Sequence, residues 1–207
     1  MRRAVATALL SAGVITLVAG CGGGDQAPAA TAGGTSAAGA GATGGGPTAT
    51  LVDPDGKEVG TVRFSEAEGG VEVSVQVTSL PPGFHGFHVH SIGVCEPDSP
   101  SPADPSMKGD FLSAGGHIGA GDSDHGEHPG DLPILFVTEA GTGSLTAVID
   151  GLTMADLTDD DGSAVMVHAD PDNYANIPER YAPGGPDEMT RNTGDAGGRI
   201  ACGPVEG

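Results

Sequence analysis

The stretch Phe84-His85-Gly86-Phe87-His88-Val89-His90 decides the reading of this 207-residue chain. Side chains in a strand alternate faces with period two, so His88 and His90 share one face while Phe87 and Val89 turn toward a core. His85 falls on the other side from the histidine pair by parity and reads as structural. Two imidazoles held side by side on rigid backbone make half of a square-planar or tetragonal nitrogen set, the geometry Cu(II) prefers. The plainer alternative for such a pair is a solvated strand face.

Working outward, the chain reads as β. Val71, Val73, Val75 and Val77 alternate with Glu72, Ser74, Gln76 and Thr78, the signature of a half-buried strand. Glu58 to Glu66 forms a second strand, joined to it by the turn Ala67-Glu68-Gly69-Gly70. Thr48 to Asp53 precedes them. Further strands are expected at 84–90, 133–138, 143–149, 164–169 and 198–202. Eight short strands with Gly/Pro turns predict an all-β fold, an eight-stranded flattened Greek-key barrel or immunoglobulin-like sandwich. No segment carries a helical stripe.

The first residues read as a processing signal over 1–20. Arg2-Arg3 precede a short apolar run that ends in Val18-Ala19-Gly20-Cys21. A Cys after small residues resembles a bacterial lipobox, which predicts cleavage before Cys21 and a lipid on its sulfur. The alternative is an ordinary signal peptide or an uncleaved anchor. Residues 21–47 are Gly, Ala, Thr and Ser with almost no bulky apolar side chain, which predicts a flexible tether. The expectation is an exported protein, lipid-anchored to the outer face of the cytoplasmic membrane, with one domain of about 160 residues over 48–207.

Without the leader, 28 acidic side chains face 6 basic ones, a formal charge of −22. Nucleic acid and anionic lipid headgroups are poor partners on that balance. Beyond Cys21 only Cys95 and Cys202 remain. An even count in an oxidising compartment reads as a disulfide, the alternative being two free thiols.

Two connections, Ser91 to about Leu132 and Asp170 to Gly197, are too long for hairpins, and each follows a histidine-bearing strand. Connections of that length in a compact domain are functional or disordered; they read here as site-building loops. The first holds His117 behind Gly115-Gly116, where glycines permit close approach. It also holds His125-Gly-Glu-His128-Pro-Gly-Asp131, a spacing with which a turn-rich loop can wrap one cation. His168 closes the apolar strand Val165-Met166-Val167, where a lone histidine can equally be a core residue.

Five segments together resemble the copper/zinc superoxide dismutases. They are Gly86-Phe87-His88-Val89-His90, Ser113-Ala114-Gly115-Gly116-His117, His128-Pro-Gly-Asp131-Leu132-Pro133, Val167-His168, and Gly194 through Gly203 (GDAGGRIACG). They occur in the family's order and cover essentially the whole domain; the lipobox and acidity resemble exported actinobacterial members. The resemblance implies copper on His88, His90, His117 and His168. It implies zinc on His117, His125, His128 and Asp131, with His117 bridging the metals and passing a proton to product. Asp172 matches a carboxylate that orients ligands of both metals, Arg199 the arginine that guides substrate, and Thr193 the residue opposite it at the channel mouth. Cys95 and Cys202 match the family disulfide. The departure is the loop from His117 to Asp131, which is short, with His125 and His128 only three residues apart. Zinc is expected because the ligand types survive, with copper alone as the alternative.

The implied reaction converts two superoxide ions to dioxygen and hydrogen peroxide. A non-catalytic copper-sequestering lipoprotein on the same fold is the competing expectation, and Arg199 argues against it, since a copper buffer has no use for a cation beside a bound cation. Arg191 and Arg199, with Arg180, are the basic residues of the second loop and its exit, so the positive focus is expected there. A homodimer is compatible with the sequence.

Overall fold

The computed structural model describes residues 45–207. The leader of 1–20, Cys21 and the tether as far as residue 44 lie outside the described residues. The strands are β1 (Thr48–Val52), β2 (Glu58–Ala67), β3 (Gly70–Val77), β4 (Gly83–His85), β5 (Phe87–His90), β6 (Ser99–Pro100), β7 (Lys108–Gly109), β8 (Leu135–Val137), β9 (Gly143–Ile149), β10 (Ala164–His168) and β11 (Arg199–Glu206). Nine of them form one antiparallel sheet in the order β4-β8-β9-β3-β2-β1-β11-β10-β5, and β6 and β7 form a small separate hairpin.

The strand expected over 84–90 is two strands, and this difference brings the two ends of the sheet together. β4 pairs with β8 at one end of the order, and β5 pairs with β10 at the other. Gly86 alone separates them, so the chain steps from one edge to the other across a single residue. Its N–H donates to Asp170 O at 2.8 Å and its carbonyl accepts from His168 N at 2.8 Å. A side chain there would meet the Ala196 methyl at 2.6 Å, which is why the crossing needs glycine. The result is an almost closed barrel.

Alternation fills it. Val71, Val73, Val75 and Val77 of β3 are buried with Val62 and Phe64 of β2, and Phe87 and Val89 of β5 join the same core. β10 is buried on both faces. Val165 and Val167 enter that main core, while Ala164 and Met166 join a second cluster with Phe111, Ala114 and Cys202.

Both long connections carry local structure. The first holds the β6–β7 hairpin and a 3-10 turn over Leu112–Ala114. The second holds a short helix, α2 (Glu188–Thr193), started by the Asp187 side chain on Thr190 N and stopped by Gly194 in the left-handed region. An earlier helix, α1 (Met154–Leu157), carries a capping box between Thr153 and Asp156. These two helices, absent from the sequence expectation, have four and six residues, too few to show a stripe.

Cys95 and Cys202 form the disulfide, joining the first long connection to β11 across 107 residues. Closing a loop that long stabilises by about 4–5 kcal/mol in the chain-entropy picture, and native disulfides are typically worth about 2–5. Replacing both cysteines by alanine is expected to lower the unfolding free energy of the metal-free protein by about 2–5 kcal/mol, measured by urea denaturation. No change in the midpoint would show that the bridge does not hold this loop.

Candidate metal centre

The open edge of β5 is covered by the first long loop, and this places the site. Val89 N donates to Gly130 O at 2.8 Å, Ile118 N to Val89 O at 2.9 Å, and Ser91 N to Gly116 O at 2.9 Å. These backbone bonds set His117 opposite His90 and Asp131 opposite His88. On the other edge of β5, Met166 of β10 lies opposite His88. A register shift between Val167 and His168, against β11, sets His168 opposite Arg199. Four imidazoles from two strands and a loop therefore meet, with His88 ring centroids 4.0 Å from His117 and 4.8 Å from His168.

Their hydrogen bonds fix which nitrogen is free. His88 Nε2 donates to Asp172 Oδ2 at 2.6 Å, His90 Nδ1 to Gly115 O at 2.9 Å, and His168 Nδ1 to Gly197 O at 3.1 Å. Their other nitrogens, His88 Nδ1, His90 Nε2 and His168 Nε2, are buried and have no partner. Unpaired buried polar atoms are costly, and three aimed into one group fit a metal ion. Burial holds His90 and His168 well below the usual imidazole range, with nearby imidazoles and Arg199 acting in the same direction. It lowers His88 against the pull of Asp172, and takes His117 to about 4 against the pull of Asp131. All four rings are neutral near pH 7, the state in which imidazole binds a metal.

The second group centres on Asp131. Its Oδ1 lies 2.9 Å from His117 Nδ1, 3.0 Å from His125 Nδ1 and 3.3 Å from His128 Nδ1. Donor atoms around a tetrahedral Zn(II) stand about 3.3 Å apart at metal–ligand distances near 2.0–2.1 Å, so the spacing suits that ion. Donor atoms of His88, His117, His125 and Asp131 all lie within 4.8 Å of one another. His128 stands just outside that set. It gives Nε2–H to Ser123 O at 2.9 Å, which leaves Nδ1 facing the carboxylate. The short loop thus brings all four expected residues together.

Asp172 joins the groups. Besides His88 it accepts from His125 Nε2 at 2.8 Å. Burial alone would raise its pKa, but the bonds from His125 and His88 outweigh this and lower it. The same balance lowers Asp131. For His125, burial opposes the proton, but Asp131 and Asp172 outweigh it and raise the ring to about 9. Gly194 is required beside this bridge. It has φ of 58°, and a Cβ would collide with Asp172 Oδ1 and His125 Nε2.

A cavity of about 750 Å³ opens over His90, His117 and His168, and Arg199 and Thr193 line it. The guanidinium of Arg199 is held by the carbonyls of Phe111 and Gly115. Phe111 has φ of 58°, an uncommon conformation for a bulky residue, which aims its carbonyl there. Burial lowers Arg199 only to about 10, so it keeps its charge. Thr193 Oγ1 donates to Met189 O at 2.9 Å. Arg191 departs from expectation. Its Nη1 donates to Pro186 O at 2.8 Å and its Nε lies 3.6 Å from Asp124 Oδ1. It does not line the cavity, and the positive focus narrows to Arg199.

His85 is structural, spanning His168 O and Pro81 O with its two ring nitrogens at 2.8 and 2.9 Å. Two contributors escaped the sequence reading. Tyr174 gives its N–H to Asp172 Oδ1 at 2.7 Å and stacks on His125 with centroids 6.1 Å apart. Its only signal was being one of two tyrosines, two residues beyond Asp172. Asp195 lines the cavity, its carboxylate tied to Asn173 Nδ2 at 2.6 Å and Thr190 Oγ1 at 3.1 Å.

A cation seated around Asp131 must displace the proton of His125. Zn(II) affinity of the metal-free protein is therefore expected to rise about tenfold per pH unit from pH 6.5 toward 9, measured by competition with a chromophoric chelator. Copper uptake by His88, His90, His117 and His168 should lack this dependence, because those rings are already neutral. A zinc affinity flat over that range would contradict the role of His125.

Residues 58–205 match the family model for copper/zinc superoxide dismutase. The Cu-Zn superoxide dismutase of Mycolicibacterium paratuberculosis is 45% identical over 166 residues, covering 76% of this chain and 73% of that protein. That of Mycobacterium tuberculosis is 44% identical over 166 residues, covering 76% and 69%. Among solved structures, the Cu/Zn superoxide dismutase from Brucella abortus aligns with a TM-score of 0.59 at 35% identity, over 77% of this chain and 98% of that one. A SOD-like protein from Bacillus subtilis aligns with a TM-score of 0.55 at 27% identity, over 77% and 97%. An almost closed antiparallel barrel, two adjoining donor groups sharing His117 and a match over most of the domain converge, and the chain belongs to the copper/zinc superoxide dismutase family.

Proposed function

We propose that this superoxide dismutase works at the outer face of the cytoplasmic membrane, held there by a lipid on Cys21, and protects the cell envelope from superoxide. His88, His90, His117 and His168 hold copper, and His117, His125, His128 and Asp131 hold zinc. The observation that carries the copper assignment is the set of three unpartnered buried nitrogens, His88 Nδ1, His90 Nε2 and His168 Nε2.

Bound copper supplies a one-electron couple, so that two superoxide ions and two protons become dioxygen and hydrogen peroxide. The protein's part is electrostatic and positional. Arg199, fixed by two carbonyls in the cavity, holds the anion with a charge that needs no reorganisation. Thr193 limits the cavity on the side of α2. His117 turns Nδ1 to Asp131, so Nε2 is the atom that would carry a proton to the peroxide product whenever it is not holding copper. Asp172 keeps His88 and His125 in the tautomers that leave Nδ1 free on each. A homodimer is supported by Phe84 and Phe136, each 51% exposed on neighbouring β4 and β8 with ring centroids 5.0 Å apart.

Arg199→Glu tests the enzyme against a copper-sequestering protein. Arg199 donates no electron pair to copper, so copper content should persist. Dismutation per bound copper should fall by about 10- to 1000-fold as attraction becomes repulsion. Equal rates per copper would remove Arg199 from the mechanism and favour sequestration.

Anchoring is tested by Cys21→Ser, which cannot form the thioether lipid. The variant should still be exported but leave the membrane fraction for the soluble one. Unchanged partitioning into membranes would reject lipidation.

A further inference from the structure

Among the described residues the four methionines divide into two pairs. Met166 is fully buried in the second cluster, and Met154 packs partly buried on the main core. Met107 and Met189 are 55% and 68% exposed. Both exposed methionines line the same cavity, the one that opens over His90, His117 and His168. They reach it from different parts of the chain, Met107 just before β7 and Met189 in the first turn of α2.

Nothing in the dismutation chemistry uses them. Superoxide is an anion, and a thioether offers it neither a charge nor a hydrogen-bond donor. A thioether does offer a soft sulfur lone pair on a flexible, unbranched stem, and soft ligands select Cu(I) over Cu(II). Arg199 and Asp195 both line the cavity, one charge of each sign, so charge alone does not draw Cu(I) to the histidines. Ligands that bind the ion for its softness would.

We propose that Met107 and Met189 form a Cu(I) docking site at the cavity mouth, from which copper passes inward to the histidines. The inference rests on reading His88, His90, His117 and His168 as the copper ligands. Transfer is ligand exchange, with no change of oxidation state: sulfur lone pairs let go as imidazole lone pairs take hold. No proton has to leave, because His90 and His168 already present unpartnered Nε2 atoms. The direction is set by ligand number and placement, two exposed thioethers giving way to buried nitrogens held in position. Met107 and Met189 thus speed loading and leave the final affinity to the histidines.

The test uses the full-length protein stripped of metal, with Met107 and Met189 both changed to leucine, a volume-conserving exchange at exposed positions. Cu(I) is supplied without oxygen as its acetonitrile complex, and samples are quenched at timed intervals with bicinchoninate, which colours with copper that has not reached the histidines. Cu(II) is supplied in a parallel series as its glycine complex. The double variant is expected to load Cu(I) about tenfold more slowly, to reach the same final copper content, and to load Cu(II) at the wild-type rate. An unchanged Cu(I) rate would overturn the proposal. Equal slowing of both ions would also overturn it, since that reports cavity shape and not sulfur chemistry. If wild type and variant both fail to retain copper, it is the histidine assignment that falls, and the docking site falls with it.

Discussion

The carboxylate of Asp172 is the constraint on which the centre depends. An ionised carboxylate only accepts, so each imidazole that meets it must present an N–H. His88 does so from one side and His125 from the other, and that single condition turns Nδ1 of His88 toward one donor group and Nδ1 of His125 toward the other. The two groups are thereby oriented by one side chain that need touch neither metal. Asp172 is itself held by the N–H of Tyr174, in a space that exists because position 194 has no side chain. The second long loop is thus fitted to the first through polar contacts whose members constrain one another, and His125 N bonding to Arg191 O at 2.7 Å ties their backbones.

Much of this was legible in the sequence, for a physical reason. A strand whose two faces meet different surroundings must alternate; β3 does so between core and solvent, and β5, buried on both faces, between core and imidazole cluster, so spacing alone puts Phe87 and Val89 in the core and His88 and His90 together. The break at Gly86 was not legible, because period-two parity runs through a glycine without a mark. What makes it a break is the close approach of Ala196, a residue far along the chain. Arg199 was marked by resemblance, yet its holders are carbonyls of Phe111 and Gly115, groups every residue owns. Arg191 misled for a related reason. A basic side chain shows its charge in the sequence but not its acceptors, and these are Asp124 in the other long loop and the carbonyl of Pro186.

The acidity of the chain poses the problem of how it attracts an anion. Exposed carboxylates act through water and are screened over about 8–10 Å at physiological ionic strength. Arg199 lies half-buried in a cavity wall, where screening is weaker and low-dielectric surroundings concentrate its field. The nearby Asp195 has its oxygens engaged by Asn173 and Thr190. At the range that decides docking, one enclosed positive charge therefore outweighs many distant, hydrated negative ones.

The pairing of β5 with β10 has a consequence for how the molecule is made. His88 and His168 become neighbours only when segments some eighty positions apart have found their register, with Met166 opposite His88. Contacts of such sequence separation carry a loop-closure cost before they return anything, and chains built on them fold slowly. The full copper set therefore requires β5 to be in register with β10 and the first loop to lie over β5. A chain lacking those pairings offers only local pairs such as His88 and His90. An ion that binds the finished set adds its binding free energy to the native state alone, so it draws the equilibrium toward the closed barrel and slows its reopening.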